Sequence, residues 1–170
     1  MKKLKKLFIF LGVALFITLS IIYFYPKRLN SEYSGVMYRI GDSKYSENIK
    51  ILIDGYYSKG LLKGDKFKGV ITIGEKQFTR LDMRFNSGRE LLSFYNEEKG
   101  DYISYGDMFI NNKLEEFSIC ILEEDGAGKG GKSWSAKDGL MISAPVNSRD
   151  EAVKLSNSLL KDYLFVGLLQ

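Results

Sequence analysis

The motif with the clearest chemical meaning is the glycine-rich run from Gly126 to Ser133, which reads GAGKGGKS. It satisfies the G-x-x-x-x-G-K-[ST] pattern of phosphate-binding loops, in which backbone amides surround the phosphates, the lysine contacts them and the hydroxyl binds Mg²⁺. Those roles would fall to Gly126, Gly131, Lys132 and Ser133. A nucleotide-dependent hydrolase is therefore one hypothesis for this chain.

The residues around this run argue against a phosphate-binding loop. Such a loop leads into a helix whose N-terminus faces the phosphate. Here Trp134 and a short polar segment lead instead into an apolar, strand-like run that begins at Gly139. Three acidic residues at positions 123–125 precede the loop and would repel phosphate. We therefore interpret the run as a hairpin loop, and we expect no bound cofactor.

Other catalytic chemistry is restricted by the residue types that the chain lacks. It has no histidine and a single cysteine, Cys120. This composition excludes Ser-His and Cys-His pairs, histidine metal ligands and internal disulfides. Cys120 is expected as a small core side chain, and no metal site is expected. Carboxylate pairs need no histidine, so a carboxylate-dependent hydrolase stays open, although no particular residue is assigned as catalytic.

A group of lysines is the remaining chemical feature. Four of them crowd residues 57–69: Lys59, Lys63, Lys66 and Lys68. If the domain lies close to a bilayer, this segment could contact anionic lipid or a polymer of the cell envelope. The alternative is a solvated connection between two strands.

These residues must be positioned by a fold that begins with an apolar segment. The run from Leu7 to Tyr25 has 19 residues, and Thr18 and Ser20 are its polar members. At 1.5 Å per residue it spans roughly 28 Å, close to the ~30 Å hydrocarbon core of a bilayer. It is longer than the apolar core of a signal peptide and no small-residue cleavage site follows it. We predict an uncleaved transmembrane anchor.

The charges that flank the anchor predict its orientation. Four lysines precede it and two basic residues follow it: Lys2, Lys3, Lys5, Lys6, Lys27 and Arg28. The excess on the N-terminal side predicts a cytoplasmic N-terminus and a domain outside the plasma membrane. Without these six residues, 19 of the 25 basic side chains remain against 21 acidic ones, a net charge of −2. We therefore expect membrane lipid as the partner of the anchor and no nucleic-acid partner.

Strict alternation dominates the chain after residue 33. Leu81, Met83 and Phe85 alternate with charged residues, and turn-forming pairs such as Gly74-Glu75 separate such runs. We predict a mainly β fold: an antiparallel meander of about six to eight strands, curled, barrel-like or sandwich. A capping box that starts at Ser148, followed by apolar residues at helical spacing, predicts one C-terminal helix at about 148–163.

The predicted organisation has four parts. Residues 1–6 form a cytoplasmic basic N-terminus, 7–25 a transmembrane signal-anchor helix, 26–33 a short linker and 34–170 an extracytoplasmic β-rich domain. The favoured function is a non-enzymatic binding or interaction module of a bacterial envelope, whose partner would be an envelope protein or polymer. The alternative is the membrane-anchored hydrolase described above. A pocket in the meander would favour a small ligand or lipid, and a filled interior would favour protein contacts.

Overall fold

A computed structural model of the chain describes residues 2–60, 64–96, 100–111, 114–124, 131–164 and 169. The first element is helix α1, Lys2–Phe24. Its segment Leu4–Phe24 is long and apolar enough to cross a membrane, and none of it is buried against the rest of the protein. The hydroxyls of Thr18 and Ser20 donate to backbone carbonyls four residues earlier, at 2.9 and 2.8 Å. These two hydroxyls are thus satisfied within the helix, as an apolar surrounding requires.

The rest of the chain is mainly β, as predicted. Eight strands form one sheet: β1 (Lys27–Arg39), β2 (Ser46–Ser58), β3 (Asp65–Ile73), β4 (Lys76–Phe85), β5 (Arg89–Asn96), β6 (Asp101–Ile110), β7 (Phe117–Ile121) and β10 (Leu140–Ala144). Two short strands form a separate hairpin, β8 (Glu123–Glu124) with β9 (Lys132–Ser133). The order in the large sheet is β4-β3-β2-β1-β10-β7-β6-β5, and every pair is antiparallel.

The sheet curls until its two outer strands meet. β4 and β5 stand at opposite ends of the order, yet a tight turn through Ser87 and Gly88 connects them. Both turn residues have positive φ (51° and 79°), and the backbones of Asn86 and Arg89 exchange two hydrogen bonds of 3.0 Å. The meander is therefore a nearly closed barrel, joined at this turn.

The interior of the barrel is filled by apolar side chains. Its fully buried members include Ile51, Phe67, Phe78, Phe117 and Ile119. An eight-stranded barrel has an interior just wide enough for side chains to fill, so this packing is the expected outcome of the strand number. The filled interior argues against a ligand inside the meander and favours contacts at the surface of the barrel, where its ends and its outer face are the remaining places for a binding site.

A second apolar layer lies outside the barrel, beneath helix α2 (Arg149–Leu160). Buried hydroxyls cross this layer. Tyr38 donates to Ser156 at 2.7 Å, and Ser156 lies 2.7 Å from Ser143 and 3.0 Å from Ser118. Each hydroxyl has a partner, which avoids the penalty of a buried unsatisfied polar group. The cluster fixes where the helix sits on the sheet.

The C-terminal helix begins as predicted and ends slightly earlier. The Ser148 hydroxyl accepts a hydrogen bond from the amide of Glu151 at 3.3 Å, which is the predicted capping interaction. The helix spans Arg149–Leu160, three residues short of the predicted end at Tyr163. Beyond the helix, the Tyr163 hydroxyl donates a hydrogen bond to the carbonyl of Ser87 at 3.0 Å. This tertiary contact holds the residues after the helix against the turn between β4 and β5.

The connection between α1 and the barrel is shorter than the expected linker of residues 26–33. β1 begins at Lys27, which pairs with Tyr57 of β2. Leu29 and Tyr33 pack against the inner core, because pairing with β2 continues the sheet to the start of β1. Two residues, Tyr25 and Pro26, therefore separate the helix from the barrel.

Candidate functional site

The residues of the GAGKGGKS run do not form a phosphate-binding geometry where the structure describes them. Gly126 lies outside the described residues. Gly131 precedes β9, and in β9 Lys132 pairs with Glu124 and Ser133 with Glu123. A turn and then β10 follow, so the described residues 131–144 contain no helix N-terminus to face a phosphate.

Cys120 and three serines lie buried in the outer apolar layer. Cys120 is 2% exposed, and burial raises the pKa of its thiol well above the usual range. A thiol in this state is inert, because the thiolate is the reactive form. Ser118, Ser143 and Ser156 are fully buried and bond to one another and to Tyr38. They contribute to packing, and solvent does not reach them.

Each described carboxyl group whose pKa departs from the ordinary value has a lowered pKa, as expected for a carboxylate in an ion pair. Hydrogen bonds from Lys68 and Lys66 lower the pKa of Asp82. A hydrogen bond from Arg39 lowers the pKa of Glu123, at 2.6 Å between guanidinium and carboxylate. A general acid needs the opposite shift. Among the residues that the structure describes, no group of three or more Cys, Asp or Glu is placed to hold a metal ion.

A cavity with several converging polar groups lies where α1 meets the barrel. Its volume is about 560 Å³. We call it the junction pocket, and its lining consists of three tyrosines, three cations, one leucine and one carboxylate: Tyr23, Tyr25, Tyr57, Lys27, Arg28, Lys59, Leu29 and Glu115. The residues come from the end of α1, the start of β1, the end of β2 and the loop before β7.

The floor of the pocket is a hydrogen-bonded network at the end of β2. The buried phenol of Tyr57 donates to Asp65, and Lys59 reaches the same carboxylate at 2.8 Å. The amide of Gly60 donates to its other oxygen at 3.1 Å. Burial opposes the ionisation of Asp65, but the hydrogen bonds from Lys59, Tyr57 and Gly60 outweigh it and lower the pKa of this carboxyl. The network holds Lys59 at the pocket.

The wall of the pocket on the side of β1 carries the two other cations. Arg28 forms an ion pair with Asp54 and lies 5.2 Å over the ring of Tyr56. Lys27 is exposed and makes no ion pair with a residue that the structure describes. The wall therefore offers one cation in an exposed pair and one cation available to a ligand.

The lysine group that the sequence singles out is divided between two places. Lys59 lines the junction pocket. Lys66 and Lys68 lie on β3 and share Asp82, at 3.0 and 2.9 Å. Lys63 lies outside the described residues. The sequence contains no local signal that Tyr57, Asp65 or Glu115 belongs to a site, because these residues lie far from the anchor in the chain. The basic pair directly after the anchor was the available signal.

Comparison with protein-family models, with curated proteins and with solved structures finds no match to this chain.

Proposed function

We propose that this protein is a single-pass, membrane-anchored binding module, that its β domain lies outside the cytoplasm at the plasma membrane, and that the junction pocket is its ligand site. One observation carries the proposal: α1 ends at Phe24 and β1 begins at Lys27, with the pocket between them. If α1 spans the bilayer, this short connection holds the pocket at the membrane surface.

Two further observations support a binding role. The lining combines three tyrosines and a leucine with four charged side chains, and about 560 Å³ is within the usual range of site volumes. Cys120, Ser118, Ser143 and Ser156 are buried, and the displaced carboxyl pKa values are lowered by ion pairs and hydrogen bonds. Both features favour binding over hydrolysis.

The orientation is tested with two single-cysteine positions. Lys44 lies exposed in the turn between β1 and β2, and Lys5 lies exposed near the start of α1. K44C and K5C are expressed separately in spheroplasts and treated with a membrane-impermeant maleimide. Buried Cys120 leaves the background low. We expect K44C to react in intact spheroplasts and K5C to react after the membrane is broken.

The reverse labelling pattern would overturn the proposal. It would place the domain in the cytosol, where nucleotides are abundant. Lys132 and Ser133 would then be the first residues to replace in a nucleotide-binding assay.

A further inference from the structure

The lining of the junction pocket indicates the chemical class of its ligand. We propose that the pocket binds the phosphate-bearing head group of an anionic phospholipid from the bilayer that α1 crosses. This inference rests on the proposed function, since it names the ligand of the same site. Three properties of the pocket support it: its depth in the bilayer, its charge and its shape.

The depth follows from the length of α1. Residues 7–24 of α1 carry no charged side chain. These 18 residues at 1.5 Å each span roughly 27 Å, which is close to the ~30 Å hydrocarbon core. Tyr23 and Tyr25 at the end of this segment are exposed, as aromatic residues at a membrane interface are. Both tyrosines line the pocket, so the pocket lies at the level of the lipid head groups.

The charge of the lining favours a phosphate. Lys27, Arg28 and Lys59 converge on the pocket. The side chains of Arg28 and Asp54 are 53% and 54% exposed, and an ion pair this exposed contributes little. Arg28 can therefore exchange this carboxylate for a lipid phosphate, to which a guanidinium donates two parallel hydrogen bonds. Lys27 forms no ion pair with a carboxylate that the structure describes, and it adds a second positive charge at the same wall.

The shape of the pocket favours a lipid over free phosphate. Lys59 is held against the Tyr57 ring, with its ammonium 5.5 Å from the ring centroid, and is bonded to Asp65. Leu29 packs against the inner core and gives the lining an apolar part. A volume of about 560 Å³ is far larger than a phosphate ion and suits a head group with its glycerol.

Glu115 is the acidic residue in the lining, and its negative charge opposes the binding of a phosphate. Its carboxylate is exposed and faces the same cavity. Coulomb repulsion between this carboxylate and a bound phosphate weakens binding. The site thus predicts that removing a cation lowers the binding of an anionic phospholipid and that removing this carboxylate raises it. A charge-matched variant away from the pocket separates the first effect from a general attraction to the bilayer.

The test uses the full-length protein, purified in detergent with equal amounts of phosphatidylglycerol and phosphatidylcholine, and native mass spectrometry to count the lipids that stay bound. We expect the wild type to retain phosphatidylglycerol preferentially. In the double variant K27Q/R28Q, the preference for phosphatidylglycerol should fall about fivefold for each cation removed. This factor corresponds to the ~1 kcal/mol that one basic side chain contributes at an anionic surface. E115Q should raise the preference.

The matched control is K44Q/K50Q. Lys44 is exposed in a turn remote from the pocket, and Lys50 forms an exposed pair with Glu32 on the same two strands that hold Arg28 and Asp54. The control variant removes two positive charges, as K27Q/R28Q does, and we expect its lipid preference to equal that of the wild type. Circular dichroism of each variant confirms that the fold is retained.

Three results would overturn the inference. They are equal retention of both lipids by the wild type, an equal loss in the control variant, and release of the bound lipid by millimolar inorganic phosphate, which would indicate a site for free phosphate. None of these results depends on topology. The labelling of K44C and K5C therefore tests the proposed function separately from the lipid preference.

Discussion

At the scale of single residues, Asp65 organises the end of the barrel that faces α1. It accepts hydrogen bonds from Tyr57, Lys59 and Gly60, which belong to the end of β2 and the residues after it. Burial raises the pKa of the Tyr57 phenol, and its bond to Asp65 raises it further, so the phenol stays a donor at neutral pH. One carboxylate thus joins β2 to the start of β3.

Replacing Asp65 with Asn should lower the free energy of unfolding by about 1–3 kcal/mol at neutral pH, the range for hydrogen bonds to a charged group. The folded-state pKa of Asp65 lies below its unfolded value. Its stabilisation is therefore present above the ordinary carboxyl pKa and is lost as the pH falls through the folded one. Urea unfolding of the full-length protein in detergent should show a smaller difference between wild type and D65N at about pH 3 than at about pH 7.

D82N is the matched control for this substitution. Asp82 also accepts from two lysines, but its side chain is 52% exposed, so solvent screens the interaction. We expect a smaller effect than that of D65N. An equal difference between wild type and D65N at both pH values would show that the ionised carboxylate does not stabilise the folded state.

At the scale of elements, glycines allow the strands to approach closely where the sheet curls. Gly55 of β2 and Gly69 of β3 face each other in the register. A Cβ on Gly69 would lie 2.2 Å from the carbonyl oxygen of Asp54 and 2.6 Å from the Gly55 Cα, both backbone atoms that cannot move aside. The register also shifts between Gly69 and Ile71, which adds a bulge. The close approach and the bulge let β2, β3 and β4 bend around the core.

G69A should destabilise the protein by about 2–3 kcal/mol, because the added methyl group must push two strands apart. Thermal or urea unfolding of the full chain measures this change. G12A in α1 is the control: nothing lies within 4 Å of a Cβ at that position, so we expect no loss of stability. A Gly69 variant as stable as the wild type would mean that the curvature does not depend on this glycine.

At the scale of the whole molecule, the barrel has one incomplete seam. Within the described residues, β4 and β5 are hydrogen-bonded at Asn86 and Arg89 and not along their length. Lys76 spans the far end of this seam, with its ammonium 4.4 Å from the ring centroid of Phe94 and 4.7 Å from that of Tyr105. Burial lowers the pKa of this lysine. Side-chain contacts, more than a backbone ladder, close the barrel there.

The seam predicts uneven protection of backbone amides. In hydrogen–deuterium exchange, peptides from β4 and β5 should take up deuterium faster than peptides from β1 and β10, which are paired on both sides. Mass spectrometry of the full-length protein in detergent measures this uptake. Equal protection of all four strands would indicate a fully hydrogen-bonded barrel.

The sequence by itself determined the apolar helix, the antiparallel meander and the C-terminal helix with its Ser148 cap. These features depend on local periodicity and on capping residues, which a linear pattern displays directly. Strand β7 illustrates the limit of such a pattern, although its Cys120 is buried as predicted. Alternation in β7 predicts one buried face, whereas both faces of Phe117–Ile121 are buried, because α2 covers the outer one.

The tertiary structure alone decided the near closure of the barrel and the junction pocket. Residues 23–29, 57–59 and 115 are far apart in the chain, and pairing of β1 with β2 together with the continuity of α1 and β1 brings them to one cavity. A binding site of this kind depends on contacts between distant residues, and one sequence contains no local signal of which strands will be neighbours. The basic residues at the anchor could be recognised from the sequence, but their convergence with Tyr57 and Lys59 is a property of the fold.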